Sequence, residues 1–292
     1  MKLGMSTYCF RYAFLDGRID LPGIVRTVAE WGGEHVEVMP MTVNFLERRD
    51  ILEQVKSEAA KSGIELVSYT FNANFLTGGE DNHELTSAER RAEIERVKKH
   101  IDVAAELGVK YVRHDLGHRP AGQRSIAQFE RDLPVAVEVC GEIADYAAQY
   151  GICTNIENHG RIFQGSERVH RLVDAVARPN FRCVIDFTNF WSVDEDPYSG
   201  TVNNLDIASM IHFKDHYRRT RVPDPKNWMV SEHGYYLHGA IVGYGDVDLP
   251  RIVELIKTSG FAGPVSLEYA SNEIDSLFGA KRSWECVSAL FA

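Results

Sequence analysis

The chain has 292 residues, of which 44% are hydrophobic and 25% are charged, and its formal net charge at pH 7 is −10. This is the composition of an ordinary globular protein that can bury a sizeable core. The excess of acidic residues disfavours non-specific binding to the phosphate backbone of nucleic acids.

The cysteines and the apolar runs indicate the compartment in which the protein works. Five cysteines are present and none lies in a C-x-x-C pair, which favours reduced, mostly buried thiols over a disulfide framework. The N-terminus has no long apolar segment, and no stretch of about 18 apolar residues occurs. We therefore expect a soluble, cytoplasmic protein without a targeting segment and without a membrane or nucleic-acid partner.

Short β-type runs alternate with amphipathic helical stretches, and no linker or low-complexity tract interrupts them. The predicted strands are residues 3–10, 35–39, 65–71, 111–115, 152–157, 181–186, 211–214 and 265–268. The predicted helices are residues 21–31, 51–62, 87–107, 125–150, 165–177, 205–210, 248–258 and 273–290. Pro134 predicts a kink or a break in the fourth helical stretch.

Eight β/α units imply parallel strands joined by right-handed crossovers. A single (β/α)₈ TIM barrel over residues 1–292 is the economical α/β fold, because a closed sheet has no exposed edge. An open doubly wound sheet is the alternative. That fold usually has a glycine-rich phosphate turn after its first strand, and residues 11–14 (RYAF) do not form one.

The longest segment without predicted structure is residues 215–245, which are rich in aromatic, histidine and arginine side chains. Structureless loops of this length are uncommon unless they are functional. On a barrel this segment follows strand seven and covers the mouth. It is therefore interpreted either as a lid or specificity loop or as a contact within a homo-oligomer, for which we expect a dimer or tetramer.

Four predicted strands end on side chains that commonly bind metal ions. Strand five ends at Glu157, strand six at Asp186 and strand eight at Glu268, and strand seven contains His212. Because residues two apart share a face of a strand, all four can point into the barrel at its carboxyl-end mouth, where active sites of barrels lie. Each residue alone is more often a surface or core residue, but the repeated position on consecutive strands is difficult to explain by chance.

This set of side chains suits one divalent metal ion. Two glutamates, one aspartate and one histidine are compatible with Mn²⁺, which we favour, and with Mg²⁺, Co²⁺ or Zn²⁺. Three neighbouring carboxylates repel one another strongly in a site of low dielectric constant. A bound dication removes that repulsion. The alternative is that one carboxylate stays protonated with a raised pKa.

At these residues the sequence resembles the xylose isomerase-like TIM barrels, which include sugar phosphate isomerases and epimerases, ketose 3-epimerases, inosose dehydratases and endonuclease IV. The matching motifs are residues 156–159 (IENH), 184–186 (VID), 212–215 (HFKD), 243–249 (GYGDVDL), 259–261 (SGF) and 263–268 (GPVSLE). The resemblance covers essentially the whole chain and implies a metal-dependent enzyme that acts on a carbohydrate.

The resemblance also implies individual roles. Glu157, Asp186, His212 and Glu268 match the four metal ligands of the family. In the ketose epimerases the two matching glutamates also act as the acid/base pair. Arg218 matches an arginine of the epimerases that approaches the substrate oxygens.

Further residues are expected to contact the substrate. Asn189 stands where the epimerases commonly place a histidine, which leaves the substrate and the reaction open. Glu37 lies near the end of strand two, where the family often has a polar substrate contact, although a structural ion pair is an equal alternative. Lys214 can hold a substrate oxygen or pair with Glu268 or Asp186.

The end of strand four supplies another group of candidates. His114 and Asp115 close this strand, and His118 and Arg119 follow it. We expect one of the four to contact the substrate. The alternative is that they form a network behind the site.

The chemistry of the proposed site allows several functions. A dication bound by two oxygens of an α-hydroxy ketone stabilises the enediolate that forms when the neighbouring C–H is deprotonated. We predict an isomerase or epimerase of a sugar or keto-sugar. The alternatives are a lyase or dehydratase of a keto-sugar, keto-glycoside or inosose, an endonuclease IV-like phosphodiesterase, and a carbohydrate-binding barrel without catalysis.

Overall fold

The computed structural model describes residues 1–271 and 274–292. Within these residues, eight parallel strands close into a barrel in which every strand pairs with its neighbours in the chain and the last strand pairs with the first. The strands are β1 (Leu3–Ser6), β2 (His35–Val38), β3 (Glu65–Phe71), β4 (Tyr111–His114), β5 (Cys153–Glu157), β6 (Phe181–Asp186), β7 (Ala208–Phe213) and β8 (Val265–Leu267). The predicted single (β/α)₈ barrel is confirmed.

One main helix follows each strand. The helices are α1 (Leu21–Glu30), α2 (Arg49–Ser62), α3 (Ser87–Leu107), α4 (Ile126–Ala148), α5 (Ser166–Val176), α6 (Pro197–Asn204), α7 (Leu249–Thr258) and α8 (Ser276–Phe291). Their ends are set by local sequence. Thr86 and Glu89 form a capping box at the start of α3, and Gly108 ends it in the left-handed conformation with φ 73°. No helix among the described residues is both long and apolar enough to span a bilayer.

Two elements differ from the sequence prediction for local reasons. The first predicted strand is shorter, because the Ser6 side chain accepts a hydrogen bond from the Tyr8 amide and the chain turns into a 3₁₀ helix at Thr7–Phe10. The predicted helix 205–210 is wrong over its second half, since β7 begins at Ala208. The helix of this unit is α6, which begins earlier, with Pro197 in its first turn.

Two further predictions concern helices. Helix α4 continues on both sides of Pro134, so the predicted break does not occur. The last predicted helix begins at Glu273, which lies outside the described residues. Helix α8 is described from Ser276, where the Asp275 side chain accepts the amide hydrogen bond of Phe278.

The interior of the barrel has an apolar layer below a polar one. Val67, Val184 and Met210 form a small buried cluster that is separate from the larger core between sheet and helices. Val184 and Met210 precede Asp186 and His212 by two residues and therefore share their faces. The polar side chains thus form the layer nearest the carboxyl-end mouth.

The segment 215–245, called the lid segment below, contains three short strands joined by loops. It forms a three-stranded antiparallel sheet of His216–Arg219, Tyr236–Gly239 and Met229–Val230. The carboxylate of Asp215 fixes this sheet to the next loop by accepting hydrogen bonds from the amides of His216, Gly243, Gly245 and Val247, at 2.8–3.3 Å.

Candidate metal centre

Four side chains meet at the carboxyl-end mouth of the barrel. Glu157, Asp186, His212 and Glu268 each place one potential ligand atom within 4.8 Å of the other three, and all four residues are buried. Asp186 and His212 are direct neighbours in the register of β6 and β7. Glu268 follows β8 and continues its pairing, since its amide donates to the carbonyl of Phe213 at 3.0 Å. The structure therefore brings together the four strand ends that the sequence singled out.

His212 is held between two carboxylates. Its Nε2 lies 2.9 Å from Glu37 and its Nδ1 lies 3.1 Å from Glu157. Burial alone would lower the pKa of His212, but attraction to Glu37, Glu268 and Glu157 raises this pKa well above its ordinary value. Without a metal ion, His212 is therefore an imidazolium that donates to both carboxylates.

Glu37 contacts the cluster through His212. It is buried, and its carboxylate also accepts the hydroxyl hydrogen bond of Thr70 at 2.7 Å. Burial opposes ionisation of Glu37, but the contacts with His212 and Thr70 lower its pKa. An ionised Glu37 requires a proton on Nε2 of His212 and thereby directs Nδ1 at the cluster. Glu37 does not line the cavity described below, so the structure agrees with the ion-pair interpretation rather than with a substrate contact.

Lys214 occupies the cluster as a cation. Its ammonium group donates to Glu268 at 2.6 Å and to Asp186 at 3.3 Å. Burial would lower the pKa of Lys214, but the attraction of these two carboxylates raises it well above the ordinary value. The pairing that the sequence analysis gave as an alternative is thus present, and Lys214 also lines the cavity.

The two carboxylate oxygens of Asp186 have different partners. One oxygen caps the 3₁₀ helix at Phe187–Val193 by accepting hydrogen bonds from Thr188 and Asn189. The other oxygen faces Lys214. The Asn158 side chain makes two 2.8 Å hydrogen bonds to the backbone of Asp186, which explains the asparagine of the IENH motif as a clamp between β5 and β6.

Arg113 is a member of the site that the sequence analysis missed. Its guanidinium lies 2.5 Å from Glu157 and 2.7 Å from Asp115. Burial raises the pKa of Glu157, but Arg113 and then His212 outweigh this effect and hold that pKa well below its usual range. The available signal was a charged residue inside the short strand β4, whose inward face carries Tyr111 and Arg113 rather than His114.

A cavity of about 490 Å³ opens directly above the cluster. Its walls come from the strand ends and from the lid segment, and the lining residues are Tyr8, Tyr12, Met39, Asn72, Arg113, Asp115, Glu157, His159, Asn189, Lys214, His216, Asn227, Met229, Leu237, His238, Gly239, Glu268 and Ala270. A larger cavity of about 750 Å³, lined by Tyr111 and Ser209 among others, contains no member of the cluster. The smaller cavity is therefore the one that gives access to the cluster, through Glu157 and Glu268.

The other predicted substrate contacts are placed differently. Asn189 lines the cavity and donates to Glu157 at 3.2 Å. His114 is fully buried beside Phe75, because alternation along β4 turns it away from the barrel axis. His118 is exposed and borders a neighbouring cleft. The structure therefore brings Asn189 to the cavity but leaves both histidines outside it.

Arg218 and Arg119 are committed to other contacts. The Arg218 guanidinium stacks 3.8 Å from the ring centre of Tyr235 and lies 3.8 Å from Asp194. It follows the cavity residue His216 by two residues, which places it roughly 7 Å further from the barrel along the lid strand. Arg119 is buried in ion pairs with Glu84 and Asp132, as expected for a network behind the site.

The donor set fits one divalent cation. Ligand atoms at about 2.0–2.2 Å from a common ion lie up to roughly 4.4 Å apart, so the observed limit of 4.8 Å requires only small side-chain shifts. Three carboxylates and an imidazole are suitable ligands for such an ion. Burial and the neighbouring carboxylates raise the pKa of Asp186, although Lys214 opposes the shift, and this repulsion is what a dication would relieve.

Comparison with known proteins places the chain in a family. The model of the family described as xylose isomerase-like TIM barrel matches residues 25–288. A search of curated protein sequences found no significant match.

Three solved structures illustrate the shared fold. The 3-keto-D-glucoside 4-epimerase from E. coli is 14% identical, with a TM-score of 0.73 and 99% of each chain covered. The probable 3-DHS dehydratase of petrobactin synthesis from Bacillus anthracis is 17% identical, with a TM-score of 0.72 and 99% of each chain covered. The IOLI protein, whose structure contains a zinc atom, is 18% identical, with a TM-score of 0.72 and 100% of this chain and 98% of that chain covered. The expectation from the motifs is confirmed: the chain belongs to the xylose isomerase-like TIM barrel family.

Proposed function

We propose that the protein is a divalent-metal-dependent isomerase or epimerase that acts on an α-hydroxy ketone of a sugar or keto-sugar. The observation that carries the proposal is the buried group of four ligand-type side chains under an open cavity at the carboxyl-end mouth. Structural similarity to an epimerase of a keto-sugar supports it. Glu157, Asp186, His212 and Glu268 would hold the ion, for which we propose Mn²⁺, and the zinc atom in the structure of the similar IOLI protein supports a divalent metal.

The metal ion would supply one effect. When the hydroxyl-bearing carbon next to the ketone loses its proton, the ion would stabilise the negative charge that develops on the ketone and hydroxyl oxygens. The chain supplies the proton transfers. Glu157 and Glu268 both line the cavity, so one can remove the proton and the other can return it. Return to the opposite face of the same carbon is epimerisation, and return to the neighbouring carbon is isomerisation. Asn189 and Arg113 fix the Glu157 carboxylate in position through contacts of 3.2 and 2.5 Å.

The test uses solvent deuterium exchange into a ketose. Wild-type protein with Mn²⁺ should exchange the C–H next to the carbonyl of D-fructose or D-allulose, as read by mass spectrometry. Glu157→Gln and Glu268→Gln should each lower the rate about 100-fold or more, because general acid/base catalysis contributes about 10²–10⁴-fold. The matched control Glu254→Gln changes an exposed carboxylate on α7 and should leave the rate unchanged. Unchanged exchange in both site variants would refute the acid/base roles.

A lyase or dehydratase is the second candidate, and His159 is the residue that favours it. This histidine lines the cavity, and its Nδ1 lies 3.9 Å from Asp115. A third acid in the cavity could protonate a leaving hydroxyl after the C–H has been broken, and similarity to a probable dehydratase supports this reading. Product analysis separates the two functions, since only the lyase releases water or an aglycone.

The phosphodiesterase alternative finds less support. The described residues contain one group of potential ligands, with four members, and the multi-metal chemistry of endonuclease IV needs more.

A further inference from the structure

His216 is a buried polar residue in the wall of the cavity above the cluster. It is the first residue of the lid strand His216–Arg219, only 4% of its surface is exposed, and it lines the cavity above the cluster. Its Nδ1 is buried and has no hydrogen-bond partner among the described residues. Buried side-chain nitrogens in folded proteins usually have a partner, and because His216 lines the cavity, a bound molecule can supply the partner of its Nδ1.

The backbone that carries the imidazole is hydrogen-bonded on both sides of the strand. His216 pairs with Gly239 in the lid sheet, and its amide donates to the Asp215 carboxylate at 2.9 Å. A side chain at position 239 would come within 2.9 Å of the Ala270 carbonyl, so the lid strand packs closely against the segment after β8. The ring therefore lines the cavity from a hydrogen-bonded and closely packed strand.

The charge state of the ring limits what it can bind. Burial, with contributions from Lys214 and His238, lowers the pKa of His216 to about 3. A neutral imidazole has one N–H donor and one nitrogen acceptor. This combination matches a hydroxyl group, which both donates and accepts, and it offers no charge to an anion.

The position of the ring identifies which hydroxyl this is. His216 lines the same cavity as Glu157 and Glu268 but is not one of the side chains whose ligand atoms lie within 4.8 Å of one another. A ligand whose two adjacent oxygens lie at the cluster therefore meets His216 with another of its oxygens. This step rests on the proposed function, because it takes the cluster as the site of the reacting oxygens.

We propose that His216 is a specificity-determining residue that hydrogen-bonds a substrate hydroxyl remote from the two oxygens held at the cluster. The protein then distinguishes ketoses by the hydroxyl groups on their distal carbons. Short ketones that fill only the space beside the cluster do not contact this residue.

Two probes separate this contact from binding at the cluster. D-fructose carries distal hydroxyl groups, and dihydroxyacetone carries the α-hydroxy ketone alone. Dissociation constants are measured by isothermal titration calorimetry with saturating Mg²⁺ for the wild type, His216→Phe, His216→Gln and the control His233→Phe. His233 lies in the same lid segment but is exposed and pairs with Asp194.

His216→Phe should weaken D-fructose binding tenfold or more and leave dihydroxyacetone unchanged. His216→Gln, which retains a donor and an acceptor, should restore most of the affinity, and His233→Phe should match the wild type. Equal loss for both probes, or no loss for D-fructose, would overturn the assignment while leaving the proposed function intact. If the metal-loaded wild type binds neither probe, both the proposed function and this inference fail.

A measurement on the wild-type protein tests the same contact without depending on whether the variants fold. Long-range ¹H–¹⁵N spectra of histidine side chains, with Mg²⁺ present, should show the His216 ring signal shift when D-fructose is added and stay in place with dihydroxyacetone. A signal that does not respond to D-fructose contradicts the proposal.

Discussion

The ammonium group of Lys214 should be essential for stability only when no metal ion is bound. It lies 2.6 Å from Glu268 and 3.3 Å from Asp186, and Asp186 is completely buried. Removal of one partner from a buried ion pair costs about 3–5 kcal/mol, because the remaining charge has no counter-ion. We expect Lys214→Met to lower the free energy of unfolding by about this amount in the presence of EDTA.

A bound dication should replace that counter-charge. With excess Mn²⁺ the loss caused by Lys214→Met should fall to about 1 kcal/mol, which is the ordinary cost of a substitution. The difference of about 3 kcal/mol must appear as tighter metal binding by the variant, since coupling between two sites is reciprocal. This corresponds to an increase in affinity of about 100-fold.

The assay is urea unfolding followed by circular dichroism, with EDTA and with excess Mn²⁺. Lys110→Met is the matched control, because Lys110 also pairs with a glutamate, Glu65, at 2.8 Å, but its side chain is 68% exposed. The control should change little in either condition. If Lys214→Met causes the same loss with and without Mn²⁺, the reasoning is wrong, because the ion and the ammonium group then do not serve the same carboxylates.

Three further predictions follow from the contacts of the site. The pKa of His212 is raised well above its ordinary value in the metal-free protein, whereas a metal ion needs the deprotonated ring. Binding of Mn²⁺ at pH 7 should therefore release about one proton, and the affinity should fall about tenfold per pH unit as the pH falls below that pKa. Calorimetry in buffers of different ionisation enthalpy measures the proton release. Glu37→Gln should weaken metal binding about 10–100-fold, because a glutamine side chain can donate as well as accept and so does not require the proton to be on Nε2 of His212. Unchanged affinity in a metal titration would argue against this orienting role. Asp215→Ala should lower the free energy of unfolding by about 3 kcal/mol, because four backbone amides lose their acceptor. Hydrogen exchange at the amides of Gly243 and Gly245 should become faster. Slow exchange at both amides in the variant would contradict the role of Asp215 in fixing the lid sheet to the next loop.

The barrel and the four strand ends could be predicted because both depend on short-range patterns. Alternation of strands and helices gives parallel pairing, and parallel strands end at one rim. Period-two alternation within β5 to β8 then places Glu157, Asp186, His212 and Glu268 on inward faces. The sequence therefore predicted their proximity, which the structure shows, whereas their role as ligands stays a prediction.

The neighbours of the cluster were harder to predict, because a shift of one residue changes the face of a strand. In the four-residue strand β4 this shift exchanges Arg113 for His114. Only the register, which pairs Arg113 with Asn155 of β5, puts Arg113 on the face that carries Glu157. Likewise, the lid sheet depends on pairing between residues 216–219 and 236–239, which no local pattern specified. This pairing brings His216 to the cavity and leaves Arg218 outside it.

The most direct test of the account is the position of the metal ion. Anomalous diffraction at the manganese absorption edge, from crystals grown with Mn²⁺, should show one strong peak per chain within bonding distance of Glu157, Asp186, His212 and Glu268. A peak elsewhere, or no peak between these four side chains at saturating Mn²⁺, would contradict the central claim.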